Sequence, residues 1–244
     1  MLVTFSGMVG SGKTTNAKKS LRWLSARGYA PYYVRFRFIT WRSVLRAPAS
    51  TPWRERAGTK NSPTRQTPPP TETQRTLAVN ERLSFRLFIG YLVRIVRFRL
   101  FLARHHRGHL LVLNRYFYDS FMHYRIASSR EQKYLHWLIK AAPKPDLAIL
   151  LALRPETSHR RRSAYALEEL RQMAENTLKL QSCAPHLRVI ATDNLSTVDR
   201  QVEKELRAIF TANEKSSRSN SPLEGGQEGV ARASVANKNT EKNL

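Results

Sequence analysis

The stretch from residue 2 to residue 15 constrains the fold more than any other part of the chain. It reads as an apolar-leading strand, LVTFS, then GMVGSGKTT, which fits the pattern G-x-x-x-x-G-K-T, and then a helix-forming run over residues 16–27. A strand, a glycine-rich turn and a helix in this order form a phosphate-binding loop. Glycines let successive N–H groups converge on phosphate oxygens, and the helix N-terminus adds its dipole. The sequence therefore predicts binding of a nucleoside triphosphate.

The motif also predicts the part that each residue plays. The residues expected to cradle the phosphates of the nucleotide are Gly7, Met8, Val9, Gly10, Ser11, Gly12, Lys13, Thr14 and Thr15. The ammonium group of Lys13 can reach the β- and γ-phosphates, and the hydroxyl of Thr14 can ligate Mg²⁺. We therefore expect a nucleoside triphosphate bound with Mg²⁺, and Lys13 as a catalytic residue.

The rest of the chain alternates strands with helices. Further strands are predicted over residues 31–38, 109–113, 146–153 and 187–191, and further helices over 77–106, 131–141, 164–183 and 195–210. The apolar runs at 109–113 and 146–153 are typical of parallel strands that are covered on both faces. The alternation therefore favours one α/β domain.

Two segments depart from this alternation. Residues 40–76 carry many prolines among Ser, Thr and Arg, so we expect an insertion that is mobile or that folds with a partner. From Arg35 to Arg65 there are eight basic residues against one acidic residue, so this loop either closes over a phosphate site or is solvated. Residues 213–244 are poor in apolar side chains and are expected to form a disordered tail, which leaves 1–212 as the folded domain.

The charge of the chain limits the kinds of partner that it is expected to bind. Lys and Arg number 42 against 18 Asp and Glu, a formal net charge of +24, which suits phosphate-bearing ligands, nucleic acid or an anionic membrane surface. The helical run 82–107 has seven basic residues and no acidic one, and its aromatic side chains fall on its apolar face. No stacking platform for bases results, so nucleic acid is not an expected partner, whereas attachment to anionic lipid stays open.

Three further features bound the class of protein. The single cysteine, Cys183, excludes an internal disulfide and a metal site built from several cysteines. The longest apolar runs, such as 87–93, are too short to span a bilayer. The sequence opens directly on a strand, and from this we expect no signal peptide and a cytoplasmic location.

The ordered set of motifs resembles the thymidylate kinase family. The residues that carry the likeness are FSGMVGSGKTT over 5–15, Arg115-Tyr116 with Ser120 in NRYFYDS, Pro145-Asp146-Leu147, and Pro155-Glu156 with Arg161. The likeness extends from residue 1 to the end of the last predicted helix, without the insertion. It implies the three-layer fold of P-loop nucleotide kinases, with a five-stranded parallel sheet and helices on both faces.

The resemblance implies roles for side chains outside the loop. Arg115 would be a catalytic ligand of the acceptor phosphate, with Tyr116 beside it on the substrate. Arg161 would belong to the lid that closes on the donor, and Arg94 on the long helix would also contact the acceptor phosphate. Apart from the resemblance, Arg35 lies towards the carboxyl end of the second predicted strand, where it faces either the ligand crevice or solvent.

The implied activity is transfer of the γ-phosphoryl group of ATP, with Mg²⁺, to a nucleoside monophosphate, dTMP first. Two acidic positions of the family pattern are neutral here, at Asn114 and Ala152. The nearest acid in sequence, Asp119, is a further catalytic candidate, and it either supplies the lost charge or caps a helix that begins near Ser120.

The sequence leaves a second interpretation and several partners open. The second interpretation is a weak or inactive nucleotide-binding module attached to an anionic membrane surface or partner. A phosphorylated small molecule is the expected ligand in the first case, and a homodimer stays open in both.

Overall fold

A computed structural model of the chain describes residues 1–35, 41–45, 82–105, 108–161 and 165–219. The strands are β1 (Leu2–Gly7), β2 (Tyr32–Arg35), β3 (Leu111–Asn114), β4 (Leu147–Ala152) and β5 (Leu187–Ala191). The helices are α1 (Lys13–Ser25), α2 (Trp41–Leu45), α3 (Phe85–His105), α4 (Phe117–Phe121), α5 (Ser129–Ala141), α6 (Pro155–Arg161), α7 (Leu167–Cys183) and α8 (Leu195–Ser219).

The five strands form one parallel sheet in the order β2-β3-β1-β4-β5. Parallel strands need crossover connections, and the connecting helices here cover both faces of the sheet. Helices α1 and α8 pack on one face, and α3, α4, α5 and α7 pack on the other. The predicted three-layer α/β fold with a five-stranded parallel sheet is confirmed.

The two cores follow from the alternation of side chains along the strands. In β1, Leu2 contributes to the core under α3, whereas Val3 and Phe5 contribute to the core under α1 and α8. Strand β4 does the same with Leu150 and Ile149. Because successive side chains point to opposite faces, continuously apolar strands are stable only where both faces are covered.

The sheet brings three chain segments to one edge. Strand β1 lies between β3 and β4, with Phe5 in register with Asn114 on one side and with Ile149 on the other. The carboxyl ends of these strands therefore lead into the glycine-rich loop, the NRYFYDS segment and α6 side by side. In open α/β sheets this edge, where the strand order reverses, is where ligands bind.

Helix α3 is shorter than the helix predicted over 77–106. It begins at Phe85, because the hydroxyl of Ser84 accepts a hydrogen bond from the N–H of Leu87 at 3.4 Å and caps the helix there. Residues 82–84 precede the helix, and 77–81 lie outside the described residues. Within the described part of the chain, none of the helices combines the length and the apolar character that crossing a bilayer requires.

Two segments predicted to lack regular structure contain helical residues. Helix α2 lies in the predicted insertion, and its Val44 is buried in the core. A five-residue helix is too short to show a helical period, which is why the sequence did not reveal it. Helix α8 runs to Ser219, past the predicted start of the tail, since residues 211–219 contain no Gly or Pro to stop it. Residues 46–76 and 220–244, the rest of both predictions, lie outside the described residues.

The core under α3 gives a stability prediction. Phe98 is 1% exposed, and its ring centre lies 6.0 Å from that of Tyr116 and 5.7 Å from that of Phe117. We expect Phe98→Ala to lower the free energy of unfolding by about 3–5 kcal/mol, measured by urea denaturation. Val96→Ala is the matched control on the same helix, and because Val96 is 50% exposed we expect a change below about 0.5 kcal/mol. Equal losses in the two variants would contradict this packing.

Candidate functional site

The glycine-rich loop turns sharply between β1 and α1. Gly7 and Gly12 have φ angles of 145° and 86°, which side chains disfavour. A Cβ atom on Gly7 would lie 2.3 Å from the carbonyl oxygen of Leu151, so the loop can pass β4 only with glycine at this position. No side chain caps the N-terminus of α1, so an anion at the loop would meet the first N–H groups of the helix.

Lys13 folds back over the loop. Its Nζ atom donates hydrogen bonds to the carbonyl oxygens of Gly7 and Met8, both at 2.7 Å. The same atom lies 3.7 Å from Oδ1 of Asp119, and both charged side chains are buried. The ammonium group is therefore positioned between the loop and α4.

The two carboxylate oxygens of Asp119 make different contacts. Its Oδ2 atom accepts a hydrogen bond from the N–H of Tyr116 at 3.0 Å, which caps α4, and its Oδ1 atom faces Lys13. The two roles that the sequence left as alternatives, a helix cap and a charge in the site, are therefore compatible. The cap fixes the carboxylate, which in turn fixes the ammonium group of Lys13.

A neutral amide lies beside Thr14. The Nδ2 atom of Asn114 donates hydrogen bonds to Oγ1 of Thr14 and to the hydroxyl of Tyr33, both at 2.9 Å. The Oδ1 atom of Asn114 is buried without a hydrogen-bond partner. The sequence did not indicate Tyr33, because its position in an alternating strand does not show which polar group it meets.

These groups could supply only some of the ligands that Mg²⁺ needs. The described residues contain no group of three or more His, Cys, Asp or Glu that could hold a metal ion. Mg²⁺ does not need one, because it usually keeps several waters and binds phosphate oxygens with one or two protein ligands. The hydroxyl of Thr14 and the unpartnered amide oxygen of Asn114 fit such a shared site, although neither carries a charge.

Arg115 adopts an unusual backbone conformation at the end of β3. Its φ angle is 79°, the only positive φ of a residue other than glycine among those the structure describes. The backbone is held there by a hydrogen bond from its N–H to the carbonyl oxygen of Phe5 at 2.9 Å. Its side chain is exposed. Such strained residues cost about 1–3 kcal/mol and cluster at functional sites.

Helix α6 rests on the loop. The Oγ atom of Ser158, which is fully buried, donates to the carbonyl oxygen of Val9 at 2.7 Å. Nη1 of Arg161 donates to the carbonyl oxygen of Gly10 at 3.2 Å. Arg161 therefore lies on the glycine-rich loop, and its role in a lid stays a prediction. Ser158 was not predicted, since a serine in an arginine-rich helix carries no recognisable pattern.

The structure corrects the role predicted for Tyr116. Its side chain is fully buried, its hydroxyl donates to the carbonyl oxygen of Pro143, and burial raises its pKa well above the usual value for tyrosine. The side chain therefore belongs to the core and cannot contact a substrate. The aromatic neighbour of a motif arginine looks like a ligand contact in the sequence, but the turn into α4 directs it inwards.

The other predicted residues are placed as follows. Arg94 lies on α3, with its guanidinium carbon 4.9 Å from the ring centre of Tyr91. The backbone of Arg35 ends β2 opposite Asn114, and its side chain lies outside what the structure describes. In the loop itself, Met8 and Ser11 are buried and Thr15 is exposed.

His123 is a further residue of the site that the sequence did not indicate. It follows α4 and is half-buried. Burial lowers its pKa, the charge of Asp119 raises it, and those of Arg115 and Lys13 lower it, with a net shift below the ordinary value. It therefore lies within electrostatic reach of three predicted catalytic groups. No motif surrounds it, and only the three-dimensional arrangement identifies it.

The chain is similar to known kinases in sequence and in fold. The chain is 27% identical over 213 residues to a probable thymidylate kinase of Pyrococcus horikoshii, and the match covers 77% of this chain and 86% of that protein. It is similar in structure to thymidylate kinase from Candida albicans, with a TM-score of 0.50 and 16% identity over 87% of this chain and 92% of the other. A deoxyadenosine kinase from M. mycoides has a TM-score of 0.47 and 14% sequence identity, and the match covers 85% of this chain and 100% of that one. No protein-family model matches the chain.

The lowered pKa of His123 gives a prediction about acid stability. The folded state holds this group neutral below its ordinary pKa of 6.5, so the unfolded state takes up the proton first as the pH falls. Stability is therefore lost as the pH falls through that value. We expect the melting temperature to drop between about pH 7 and about pH 5, and to drop less in His123→Gln.

The matched control is His136→Gln, which changes an exposed histidine on α5. It should keep the wild-type dependence of melting temperature on pH. A His123→Gln variant with an unchanged pH dependence would show that this imidazole is not held neutral.

Proposed function

We propose that this divergent thymidylate-kinase-like protein is a nucleotide kinase that transfers the γ-phosphoryl group of MgATP to a nucleoside monophosphate, with dTMP as the first acceptor to test. The observation that carries the proposal is the juxtaposition of the Lys13 loop and Arg115, at the carboxyl ends of the adjacent strands β1 and β3. Transfer between two phosphates needs charge neutralisation and alignment more than covalent chemistry by the protein, and this edge supplies cations on both sides.

The donor side is formed by the loop, the start of α1 and Arg161. Backbone N–H groups at the N-terminus of α1 would bind phosphate oxygens, and Lys13 would exchange its two carbonyl acceptors for the β- and γ-phosphates. Arg161, already hydrogen-bonded to Gly10, adds a cation above the loop. The hydroxyl of Thr14 would be a protein ligand of Mg²⁺, which would supply neutralisation of the phosphate charge.

The acceptor side is formed by Arg115, with Arg94 as a second cation on α3. In this arrangement Asp119 orients Lys13 from the acceptor side and does not need to remove a proton, since an acceptor phosphate is already ionised at neutral pH. His123 lies within electrostatic reach of this ion pair, and its burial lowers its pKa.

One observation favours a second function, which is nucleotide binding with little or no turnover. The group hydrogen-bonded to Thr14 is the Asn114 amide, so the metal site lacks the carboxylate that would strengthen it. Both functions include the binding of nucleotide, and they differ in the rate of phosphoryl transfer.

The experiment is an ADP-release assay with MgATP and a panel of nucleoside monophosphates, in which the phosphorylated product is identified by chromatography. We expect ADP release above background with at least one acceptor. Lys13→Ala should lose about 100-fold or more, because it removes the cation that faces the phosphates. Lys18→Ala, at an exposed lysine on the same helix, is the matched control and should keep wild-type activity.

The outcomes separate the two functions. ATP binding without transfer to any monophosphate would favour the binding module. Activity retained in Lys13→Ala would show that the loop is not the donor site, and absence of ATP binding would contradict both functions.

The missing carboxylate gives a paired prediction. Asn114→Asp would place a carboxylate where it can accept hydrogen bonds from the hydroxyls of Thr14 and Tyr33, and we expect kcat/KM to rise about tenfold. Asp119→Asn keeps an acceptor for the Tyr116 N–H but removes the charge that orients Lys13, so we expect about tenfold lower kcat and a small change in melting temperature. If neither variant alters the rate, the assignment of these two residues is wrong.

A further inference from the structure

The side chain of Asn114 presents an N–H group, rather than a carboxylate, to the hydroxyl of Thr14. Asn114 is buried, and its Nδ2 atom, which carries two hydrogens, donates to Oγ1 of Thr14 and to the hydroxyl of Tyr33, each at 2.9 Å. These two hydrogen bonds hold the amide in this orientation. The hydroxyl oxygen that is expected to ligate Mg²⁺ therefore already accepts a hydrogen bond from a neutral donor.

This contact makes the hydroxyl of Thr14 a weaker ligand for a cation. A carboxylate in the place of the amide would accept the hydrogen of the hydroxyl, leave the lone pairs of Oγ1 for the metal and add a negative charge. The amide does the opposite, because it occupies one of these lone pairs and directs the positive end of its N–H dipole towards Oγ1. We therefore expect the protein to add little to the affinity of the site for Mg²⁺.

The acids of the three segments that meet at this edge of the sheet are already engaged. The glycine-rich loop, the NRYFYDS segment and α6 contain two acids, Asp119 and Glu156. One carboxylate oxygen of Asp119 accepts from the N–H of Tyr116, and the other faces Lys13 at 3.7 Å. Glu156 lies 3.6 Å from a guanidinium nitrogen of Arg171. Neither acid is therefore available to a metal without the loss of an existing partner.

The same segments bring positive charge to the donor side. Lys13 and Arg161 both donate hydrogen bonds to carbonyl oxygens of the loop. The N-terminus of α1 has no side-chain cap and no acid in its first turn. Uncomplexed ATP carries about two more negative charges than its magnesium complex, so these groups attract the uncomplexed nucleotide more strongly. A site with free carboxylates would have the opposite preference.

We propose that the donor site binds metal-free ATP at least as tightly as MgATP, so that uncomplexed ATP is a competitive inhibitor of phosphoryl transfer. Mg²⁺ supplies the charge neutralisation that transfer itself needs. Turnover is then governed by the ratio of Mg²⁺ to ATP and declines when ATP is in excess. The inhibition rests on the proposed kinase activity, whereas the binding of metal-free ATP requires only the donor site.

The first test is isothermal titration calorimetry of the full chain, without an acceptor, with ATP in EDTA and with ATP in excess Mg²⁺. We expect one site per chain and a dissociation constant for metal-free ATP that is no higher than that for MgATP. A dissociation constant about threefold or more higher without the metal would overturn the proposal.

Asn114→Asp tests whether the amide sets this preference. The substitution keeps the shape of the side chain and adds a carboxylate beside Thr14, so the ratio of the two dissociation constants, metal-free to magnesium-bound, should rise about tenfold or more. Gln201→Glu is the matched control, since it makes the same chemical change at an exposed position on α8, and it should keep the wild-type ratio. Equal ratios in the two variants would overturn the proposal.

The net charge of +24 requires a control for binding of ATP elsewhere on the surface. Lys13→Ala should weaken the binding of metal-free ATP about tenfold or more, because it removes a charged donor at the loop. Lys18→Ala removes an exposed lysine from the same helix and should have little effect. Wild-type affinity for metal-free ATP in Lys13→Ala would place the nucleotide outside the loop and overturn the proposal.

The second test measures ADP release with a nucleoside monophosphate at a fixed concentration of Mg²⁺ and increasing ATP. We expect the rate to reach a maximum near equal concentrations of Mg²⁺ and ATP, and to fall to roughly half when uncomplexed ATP equals MgATP. An undiminished rate in excess ATP would overturn the inhibition.

The two tests separate this inference from the proposed function. If no monophosphate is phosphorylated, the proposed kinase activity fails, and the calorimetry still decides whether metal-free ATP binds as tightly as MgATP. If transfer occurs and metal-free ATP binds weakly, the kinase activity stands and this inference fails. Melting curves confirm that each variant is folded, and the two titrations of the wild type remain decisive if Asn114→Asp does not fold.

Discussion

The contact between Gly7 and β4 is the constraint on which the site depends. A side chain at residue 7 would collide with the carbonyl oxygen of Leu151, so the loop follows β4 only because this residue is glycine. The pairing of β1 with β4 then places the loop directly before α6, where Val9 and Gly10 accept hydrogen bonds from Ser158 and Arg161. One backbone approach therefore positions both the glycine-rich loop and the arginine-rich helix α6 that contacts it.

The electrostatic balance of the site is weighted towards cations. Asp119 is an acid beside the glycine-rich loop. One of its carboxylate oxygens already caps α4, and the other faces Lys13. The group hydrogen-bonded to Thr14 is the amide of Asn114, and Ala152 at the end of β4 is also neutral. The site is therefore built to attract anions, and any Mg²⁺ must be held mainly by the phosphates that it accompanies. This balance favours nucleotide binding more strongly than it favours rapid turnover.

The sequence predicted what depends on local pattern and missed what depends on distant contacts. The strand alternation and the loop motif were sufficient for the fold, and sequence distance alone pointed to Asp119. The polar contacts of Ser158 and Tyr33 join residues that are far apart in the chain, so no local sequence pattern indicates these contacts. The two faces of α3 show the same limit. Helical spacing identifies apolar stripes but cannot distinguish a stripe that packs on the sheet from one that stays exposed.

The two sides of the site share one support, which is α7. Its Asn176 is fully buried and donates hydrogen bonds to the carbonyl oxygens of Met122 at 3.0 Å and Tyr124 at 2.6 Å, one on each side of His123. The same helix meets α6 through Arg171, 3.6 Å from Glu156. Helix α7 contacts α6, which touches the loop, and it also contacts the segment around His123. A displacement of α7 would therefore move both sides of the crevice. The spacing between the glycine-rich loop and the segment around His123 is therefore set by the packing of this helix as well as by the sheet.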